Sequence, residues 1–316
     1  MARLSSDGPF FFSGFGPLAH PMLKIALPSK GRLADDVREL FGDAGLEVRG
    51  RGDRALTASL GGEFEAIFVR AQDIPEFVAD GAADAGVTGW DLVRESERSL
   101  DELLDLEFGV CRLIVAAREE SGITSLDNLA AAVGEGGAAR VATSFPHLTR
   151  RFFDECKRPV TIVPVSGAAE IAPHLGIADI VVDLTSTGST MRVNHLVEIA
   201  TILHSSARLI TAHDPHGGVS APRRRALGEL TTALASVLRA RGKRYVMANV
   251  PRDALDQVRS VLPGLNGPTV IDLLDGGIHV AVHAVVPQQA IYRTIAELKS
   301  LGAEGILVTR IERLMP

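Results

Sequence analysis

A run of hydroxyl-bearing residues around one glycine is the part of this chain best suited to chemistry. The run is Thr185-Ser186-Thr187-Gly188-Ser189-Thr190, and it follows an apolar segment that predicts a parallel strand, Ile177–Leu184, buried on both faces. A loop of hydroxyls and backbone N–H groups between a strand and a helix suits a phosphate group. The same residue types also form ordinary polar turns, so the loop alone leaves both interpretations open.

An acidic residue, Asp183, stands where this strand gives way to the loop. A carboxylate repels a phosphate unless the ligand also carries hydroxyls or a divalent cation. A phosphorylated ribose with Mg²⁺ offers both. The combination therefore points to phosphoribosyl transfer.

The composition indicates an enzyme with two or three domains. The chain has 316 residues, of which 46% are apolar, and its net charge of −6 argues against nucleic-acid binding. Cys111 and Cys156 form no CxxC pair, so we expect free thiols and a cytoplasmic location. No apolar run reaches the roughly 18 residues of a membrane helix, so we expect no membrane contact. Residues 1–21 lack periodicity and predict a flexible tail.

The elements that must position the loop alternate between strand and helix, which is typical of an α/β fold. The first run is predicted as Leu23–Leu27, Leu33–Ala44, Phe64–Val69, Ile74–Asp80, Ala85–Thr88 and Trp90–Glu95. Strand Cys111–Ala117 then crosses into a second run, predicted as Leu126–Val133, Ala139–Thr143, Leu148–Lys157, Val160–Val165, Ala168–Leu175 and Ile177–Leu184. Strand Ala207–Thr211 and helix Arg223–Arg241 are expected to return to the first lobe. Two such lobes would enclose a cleft.

The last stretch has the βαββαβ pattern of a ferredoxin-like module, of the kind that binds small amino acids in regulatory proteins. Its elements are predicted as Arg244–Val250, Arg252–Leu262, Thr269–Leu274, Ile278–Val286, Gln288–Leu301 and Gly305–Ile311. The domains expected after the tail are a first lobe at 22–112, to which 213–241 returns, a second lobe at 113–212, and a regulatory domain at 242–316.

The phosphate loop and its surroundings resemble the signature of the ATP phosphoribosyltransferases, the family that opens histidine biosynthesis. Nine residues match in order and spacing, namely Glu170, Gly176, Ala178, Val181, Asp183, Thr187, Gly188, Thr190 and Met191. Further segments are similar to the family at 26–33, 68–75, 86–93 and 141–146, so the resemblance runs from Leu23 nearly to the C-terminus. It implies a two-lobed core with the fold of periplasmic binding proteins, followed by the ferredoxin-like regulatory domain.

The resemblance also implies a reaction, in which ATP and phosphoribosyl diphosphate give N1-phosphoribosyl-ATP and diphosphate. An oxocarbenium-like transition state needs negative charge near the ribose and positive charge at the departing diphosphate. Asp183 and Glu170 would supply the first and hold Mg²⁺, and the loop from Thr185 to Thr190 would bind phosphoribosyl diphosphate. The residues implied for ATP or diphosphate are Lys30, Gly31, Arg32, Arg70, Asp91 and Phe145, with Lys30 also catalytic and Phe145 standing where Tyr is commoner.

Histidine is the inhibitor that the resemblance implies, and dimers and hexamers are the implied assemblies. The residues expected to bind histidine are Leu265, Thr269, Ala303 and Gly305. Gly267 stands where the family commonly has Ser, and the missing hydroxyl would weaken binding by about 0.5–1.5 kcal/mol.

Three other classes share some of these features. A solute-binding protein would have the two-lobed cleft but should carry a signal peptide, and none is visible. A purine or pyrimidine salvage transferase would have the phosphate loop but no βαββαβ domain. A transcription regulator would need a helix-turn-helix segment and a basic surface, which the sequence does not show.

Overall fold

The structure is a computed structural model that describes residues 22–49, 55–62, 64–129, 137–214, 217–274 and 276–315. These residues form sheets of seven, five and four strands. The tail predicted at 1–21 and the part of the predicted helix Leu126–Val133 from residue 130 onward lie outside the described residues. Among the described helices, none is long and apolar enough to cross a membrane.

The first sheet carries the helices of the first lobe on its faces. Up to the first crossing the elements are β1 Leu23–Pro28, α1 Arg32–Asp43, β2 Val48–Arg49, β3 Thr57–Leu60, β4 Phe64–Val69, α2 Ile74–Ala79, β5 Ala85–Gly89, α3 Trp90–Glu95 and β6 Leu100–Asp105. β1 lies parallel to both β4 and β5. Its side chains Ile25, Ala26 and Leu27 are fully buried, which explains its continuous apolar sequence.

The second sheet builds the second lobe. Its elements and helices are β7 Cys111–Arg118, β8 Ala139–Thr143, α4 Pro146–Glu155, β9 Val160–Pro164, β10 Ile180–Thr185, α5 Ser189–Val193 and β11 Leu196–Ser205. The strand order is β11-β7-β10-β8-β9. β10 is buried as predicted, but it is parallel only to β8 and runs antiparallel to β7. Strand β7, which carries the chain from the first lobe into the second, therefore runs opposite to its neighbour β10.

The chain crosses between the lobes twice, after β6 and after β11. β12 Ala207–Ala212 returns to the first sheet, where it pairs antiparallel with both β5 and β6, and α6 Ala221–Ala240 packs on the first lobe. The predicted return of Ala207–Thr211 to the first lobe is confirmed, and β12 therefore belongs to the first sheet although the predicted domain bounds placed it in the second lobe. Two α/β lobes joined by two crossings form the two-lobed, periplasmic-binding-protein-like core that the family resemblance implies.

Several local predictions differ from the structure. The predicted helix Ala168–Leu175 is a 3-10 turn at Ala169–Ile171 followed by further turns, and strand β10 begins three residues later than predicted. Pro173 lacks an N–H and Gly176 adopts φ +69°, so this segment does not sustain an α-helix. Strands β6 and β11 and the hairpin of β2 and β3 were not predicted.

The third sheet forms the C-terminal domain. Its elements are β13 Lys243–Pro251, α7 Leu255–Val261, β14 Thr269–Asp272, β15 His279–Pro287, α8 Ile291–Ser300 and β16 Glu304–Arg310. The order β14-β15-β13-β16 is antiparallel throughout, which confirms the ferredoxin-like prediction. Alternate residues of β13 and β15, such as Val246 and Val282, are buried against Val258 and Leu298 of the two helices.

Candidate functional site

The hydroxyl-rich loop joins β10 to α5 with the strand–loop–helix geometry that the sequence predicts. Thr185 ends the strand, and its Oγ1 accepts the Gly188 N–H at 3.0 Å. Gly188 turns the chain into the helix with φ +72° and ψ 5°. The hydroxyl oxygens of Thr187 and Ser189 lie 3.0 Å apart, and both residues are exposed. The loop therefore presents exposed hydroxyl-bearing residues to solvent at the start of a helix, as a phosphate cradle requires.

Two carboxylates lie beside this loop. Asp183, near the end of β10, is half-buried, and its Oδ1 accepts the Leu184 N–H at 2.7 Å. Burial raises the pKa of Asp183, and the nearby charge of Glu170, on the 3-10 turn, raises it further. Two carboxylates this close together are a suitable pair for a divalent cation or for ribose hydroxyls. Across the part of the chain that the structure describes, no three acidic, His or Cys side chains could hold a metal together.

Three cations lie at the carboxyl edge of the first sheet. Lys30 and Arg32 flank Gly31, which adopts φ +87° immediately after β1, and Arg70 follows the neighbouring strand β4. The Ser29 N–H donates to the Val69 carbonyl at 2.8 Å and holds the two strand ends together. All three cationic side chains are exposed, so this edge offers positive charge to an anion.

An open cleft of about 880 Å³ separates the two lobes. The first lobe lines it with Arg70, Gln72, Glu76, Leu92, Glu95 and Ser96, and the second lobe with residues 143–146 and 164–166. The carboxyl end of β4 therefore faces the carboxyl ends of β8 and β9. Since β8 is paired with β10, the phosphate loop lies at the same edge of the second sheet. A volume of this size suits a nucleotide-sized ligand.

Two predicted ligand-binding side chains are buried. Phe145 is 6% exposed and packs in the core of the second lobe, and its backbone N–H donates to Thr143 Oγ1 at 2.9 Å. Asp91 is 5% exposed and its Oδ1 accepts the Ser205 hydroxyl at 2.6 Å, at the second crossing between the lobes. Phe145, although largely buried, still lines the cleft between the lobes, whereas Asp91 does not. Both follow strand-to-helix turns, where the sequence does not distinguish a ligand contact from an internal one.

The two cysteines differ in their surroundings, which predicts a difference in reactivity. Cys111 lies opposite Ser205 at the crossing, and burial, together with the Asp91 charge, raises its pKa to about 11. A thiol reacts as its thiolate. Iodoacetamide at pH 8 is therefore expected to alkylate the exposed Cys156 and leave Cys111 unmodified, as measured by peptide mass spectrometry. Equal labelling of both residues in the folded protein would contradict this assignment.

Sequence reasoning missed several residues of the cleft. Ser144 donates its hydroxyl to the Val165 carbonyl at 2.8 Å, and Gln72 and Glu95 line the opposite wall. Ser144 and Gln72 lie just beyond the ends of predicted strands, where ligands of α/β proteins bind, so their position was the available signal. Glu95 ends a helix and carries no such signal.

The four residues predicted to bind histidine fall into two separate pairs. Leu265 and the exposed Thr269 lie at the β14 edge of the third sheet, whereas Ala303 and Gly305 lie at the β16 edge. Neighbouring strands are about 4.8 Å apart, so these edges are separated by about 14 Å. One copy of the domain therefore does not bring the four residues into one pocket.

Comparisons with known proteins agree with this architecture. The family model described as ATP phosphoribosyltransferase matches residues 70–235, and that of the HisG C-terminal domain matches residues 240–313. The chain is 69% identical over 296 residues to the ATP phosphoribosyltransferase of Gemmatimonas aurantiaca, and 48% identical over 295 residues to that of Halobacterium salinarum. Each alignment covers 93% of this chain and 100% of the relative.

A solved structure shows the same core. The ATP phosphoribosyl transferase (HisG:HisZ) complex from Thermotoga maritima aligns with a TM-score of 0.57 and 27% identity, covering 68% of this chain and 99% of that chain. The fold, the site and these matches define a phosphoribosyltransferase, an enzyme that transfers a pentosyl group. The chain belongs to the ATP phosphoribosyltransferase family of histidine biosynthesis, in the form that carries a C-terminal domain.

Proposed function

We propose that this enzyme transfers the phosphoribosyl group of phosphoribosyl diphosphate to N1 of ATP and releases diphosphate, the first step of histidine biosynthesis. The observation that carries the proposal is the pairing of Asp183 and Glu170 beside the hydroxyl-rich loop. A phosphate alone would be repelled by these acids. A ribose phosphate satisfies both features, since its phosphate meets the loop and its hydroxyls meet the carboxylates.

The charged side chains of the site are opposite in sign to the charges that develop near them in the transition state. As the bond from ribose C1 to diphosphate lengthens, positive charge grows on the ribose, and the carboxylates of Asp183 and Glu170 stabilise it. Lys30, Arg32 and Arg70 lie at the facing sheet edge and stabilise the negative charge of the departing diphosphate.

Asp183 and Glu170 would hold Mg²⁺, which would neutralise charge on the departing diphosphate when bound. The acceptor N1 of adenine has an in-plane lone pair, so no side chain needs to remove a proton before attack. The transferred bond forms between N1 and C1 as the bond from C1 to diphosphate breaks, and the adenine amino group loses a proton afterwards.

Incubation with ATP, phosphoribosyl diphosphate and Mg²⁺ tests the proposal. The expected result is growth of the ultraviolet absorbance of an N1-alkylated adenine, together with stoichiometric diphosphate. A solute-binding protein would bind one of the ligands without forming product. Failure to form either product with fresh substrates would overturn the proposed reaction.

We also propose that histidine inhibits the enzyme through the C-terminal domain and that the domain acts in an oligomer, as dimer and hexamer. The two pairs of predicted contacts, at opposite edges, would meet where the edge of one copy approaches that of another. Both edge strands are exposed and carry apolar side chains such as Val270, Ile271 and Leu307. The free Cys residues agree with a cytoplasmic location for this assembly.

Millimolar histidine is expected both to inhibit the full-length enzyme and to raise its Tm, because coupling between two sites is reciprocal. Removing the Thr269 hydroxyl by Thr269→Val should weaken both responses several-fold, as one lost hydrogen bond predicts. Thr232→Val, at an exposed position of α6, is the control and should leave them unchanged. Absence of inhibition and of a thermal shift in the unmodified enzyme would reject histidine regulation and leave the catalytic proposal intact.

A further inference from the structure

Helix α4 of the second lobe has no capping side chain at its own N-cap. That position is Phe145, whose ring offers no hydrogen-bond acceptor, and Pro146 is the first helical residue. The first N–H groups of a helix have no partner inside the helix and carry partial positive charge. The N–H groups of His147 and Leu148 therefore need an acceptor from elsewhere.

Glu95, the last residue of α3, supplies this acceptor. Its Oε1 accepts the His147 N–H and its Oε2 accepts the Leu148 N–H, each at 2.9 Å. Glu97 Oε2 lies 2.9 Å from His147 Nδ1 and adds a side-chain contact between the same segments. Burial raises the pKa of Glu95, while the two N–H donors oppose that change, as expected for a carboxylate partly desolvated to cap a helix.

The capped turn is part of the cleft wall. Ser144, Phe145 and Pro146 line the cleft from the second lobe, and Arg70 and Glu95 line it from the first. Glu95 thus connects α3, which follows the first sheet, to the segment that faces Arg70. Loss of this cap would remove a constraint on the position of residues 144–146. The phosphate loop would keep its position, because it follows β10 and does not contact Glu95 through this cap.

We propose that Glu95 is a positioning residue for phosphoribosyl transfer. Glu95 belongs to the first lobe and caps a helix of the second lobe, and this contact fixes the width of the cleft where ATP binds. The inference rests on the proposed function, since it takes this cleft to be the ATP site. The inference predicts that the two substrates respond differently to a change at Glu95. The position of the cleft wall near Arg70, where ATP binds, depends on Glu95, whereas the position of the phosphoribosyl diphosphate loop does not.

Steady-state kinetics of Glu95→Ala, Glu95→Gln and the control Glu97→Gln test the proposal. Misplacement of a binding wall predicts that Glu95→Ala raises KM for ATP about ten-fold and KM for phosphoribosyl diphosphate less than about three-fold. Glu95→Gln keeps one oxygen acceptor and should fall between Glu95→Ala and the unmodified enzyme. Glu97→Gln leaves the cap in place and should change KM for ATP less than about two-fold.

The fluorescence of Trp90, the single tryptophan of the chain and the first residue of α3, gives a second readout that does not need turnover. Titration with ATP should saturate at about ten-fold higher concentration in Glu95→Ala. Unchanged KM for ATP and an unchanged ATP titration in both Glu95 variants would overturn the inference. The proposed reaction would still stand if the unmodified enzyme forms product. An equal rise of both KM values, in proportion to a fall in Tm, would also overturn it, because that pattern marks a purely structural role. Lack of product from the unmodified enzyme would instead refute the proposed reaction.

Discussion

Asp183→Asn is expected to lower kcat by about two orders of magnitude or more, the usual effect of removing one preorganised charge from a transition state. The folded protein should not lose stability. Burial and the charge of Glu170 raise the pKa of Asp183, so its ionised form is disfavoured in the folded state and costs stability above the pKa of the unfolded chain. A neutral amide removes that cost. Turnover and Tm are therefore expected to change independently.

Asp179→Asn is the matched control for this prediction. Asp179 precedes the same strand at its opposite end, where its carboxylate accepts from the Arg140 backbone N–H and from its guanidinium, each at 2.8 Å. These bonds hold the pKa of Asp179 below its usual range, so its carboxylate stabilises the fold at neutral pH, and that stability is lost as pH falls through the folded pKa. The control should lower Tm and preserve kcat. An Asp183→Asn enzyme with reduced Tm and normal kcat would identify Asp183 as a structural acid.

Gly188→Val is expected to abolish turnover to below about one hundredth of the normal rate. A Cβ at this position would meet little of the protein itself, the nearest atom being Arg192 Nη1 at 3.6 Å. The effect should come instead from a β-branched residue at φ +72° and from methyl groups that occupy the space of the phosphate. Steady-state turnover and a thermal melt, measured on the same preparation, distinguish the two contributions.

Gly122→Val provides the control for backbone strain. Gly122 has φ 72° and ψ 3° in the same lobe, nearly the conformation of Gly188, and no atom lies within 4 Å of an added Cβ. Both variants should lose similar Tm, but only Gly188→Val should lose turnover per folded molecule. Comparable activity losses in both would assign the effect of Gly188→Val to strain alone.

The sequence predicted the elements whose residue types change sharply at their ends. The step from the apolar β10 to the hydroxyl-rich loop was visible for that reason, and so was the alternation along β15. β6 reads Leu-Asp-Glu-Leu-Leu-Asp, with acids that are rare in strands, and it is held by pairing with β12 from far along the chain. In β11 the pairing with β7 shifts register after Glu198 and after Thr201, which interrupts the two-residue period by which strands are recognised.

The candidate site was predictable in its local parts and not in its assembly. Lys30, Arg32 and Arg70 could be placed at a sheet edge because each follows an apolar strand. That Asp91 turns inward to Ser205 depends on a contact between residues more than a hundred positions apart. The separation of Thr269 from Gly305 follows from the ferredoxin-like strand order, which places the second and fourth strands of the module at opposite edges of the sheet. Glu95 caps a helix of the other lobe, and capping signals are recognised in sequence only when cap and helix are adjacent.

The position of β12 inside the first sheet affects how the chain folds as it leaves the ribosome. In the described sheet β6 pairs with β12 alone, and β12 also completes the pairing of β5. Both β5 and β6 therefore lack their β12 partner until the whole second lobe has been translated. This takes on the order of ten seconds at about 5–20 residues per second. The second lobe is complete first, because its last strand, β11, ends at Ser205 before β12 and α6 of the first lobe have been translated. We therefore expect the second lobe to acquire protease resistance before the first lobe, the reverse of the order of synthesis. Until β12 pairs with β6, the acidic side chains of β6 are expected to disfavour aggregation through its unpaired edge.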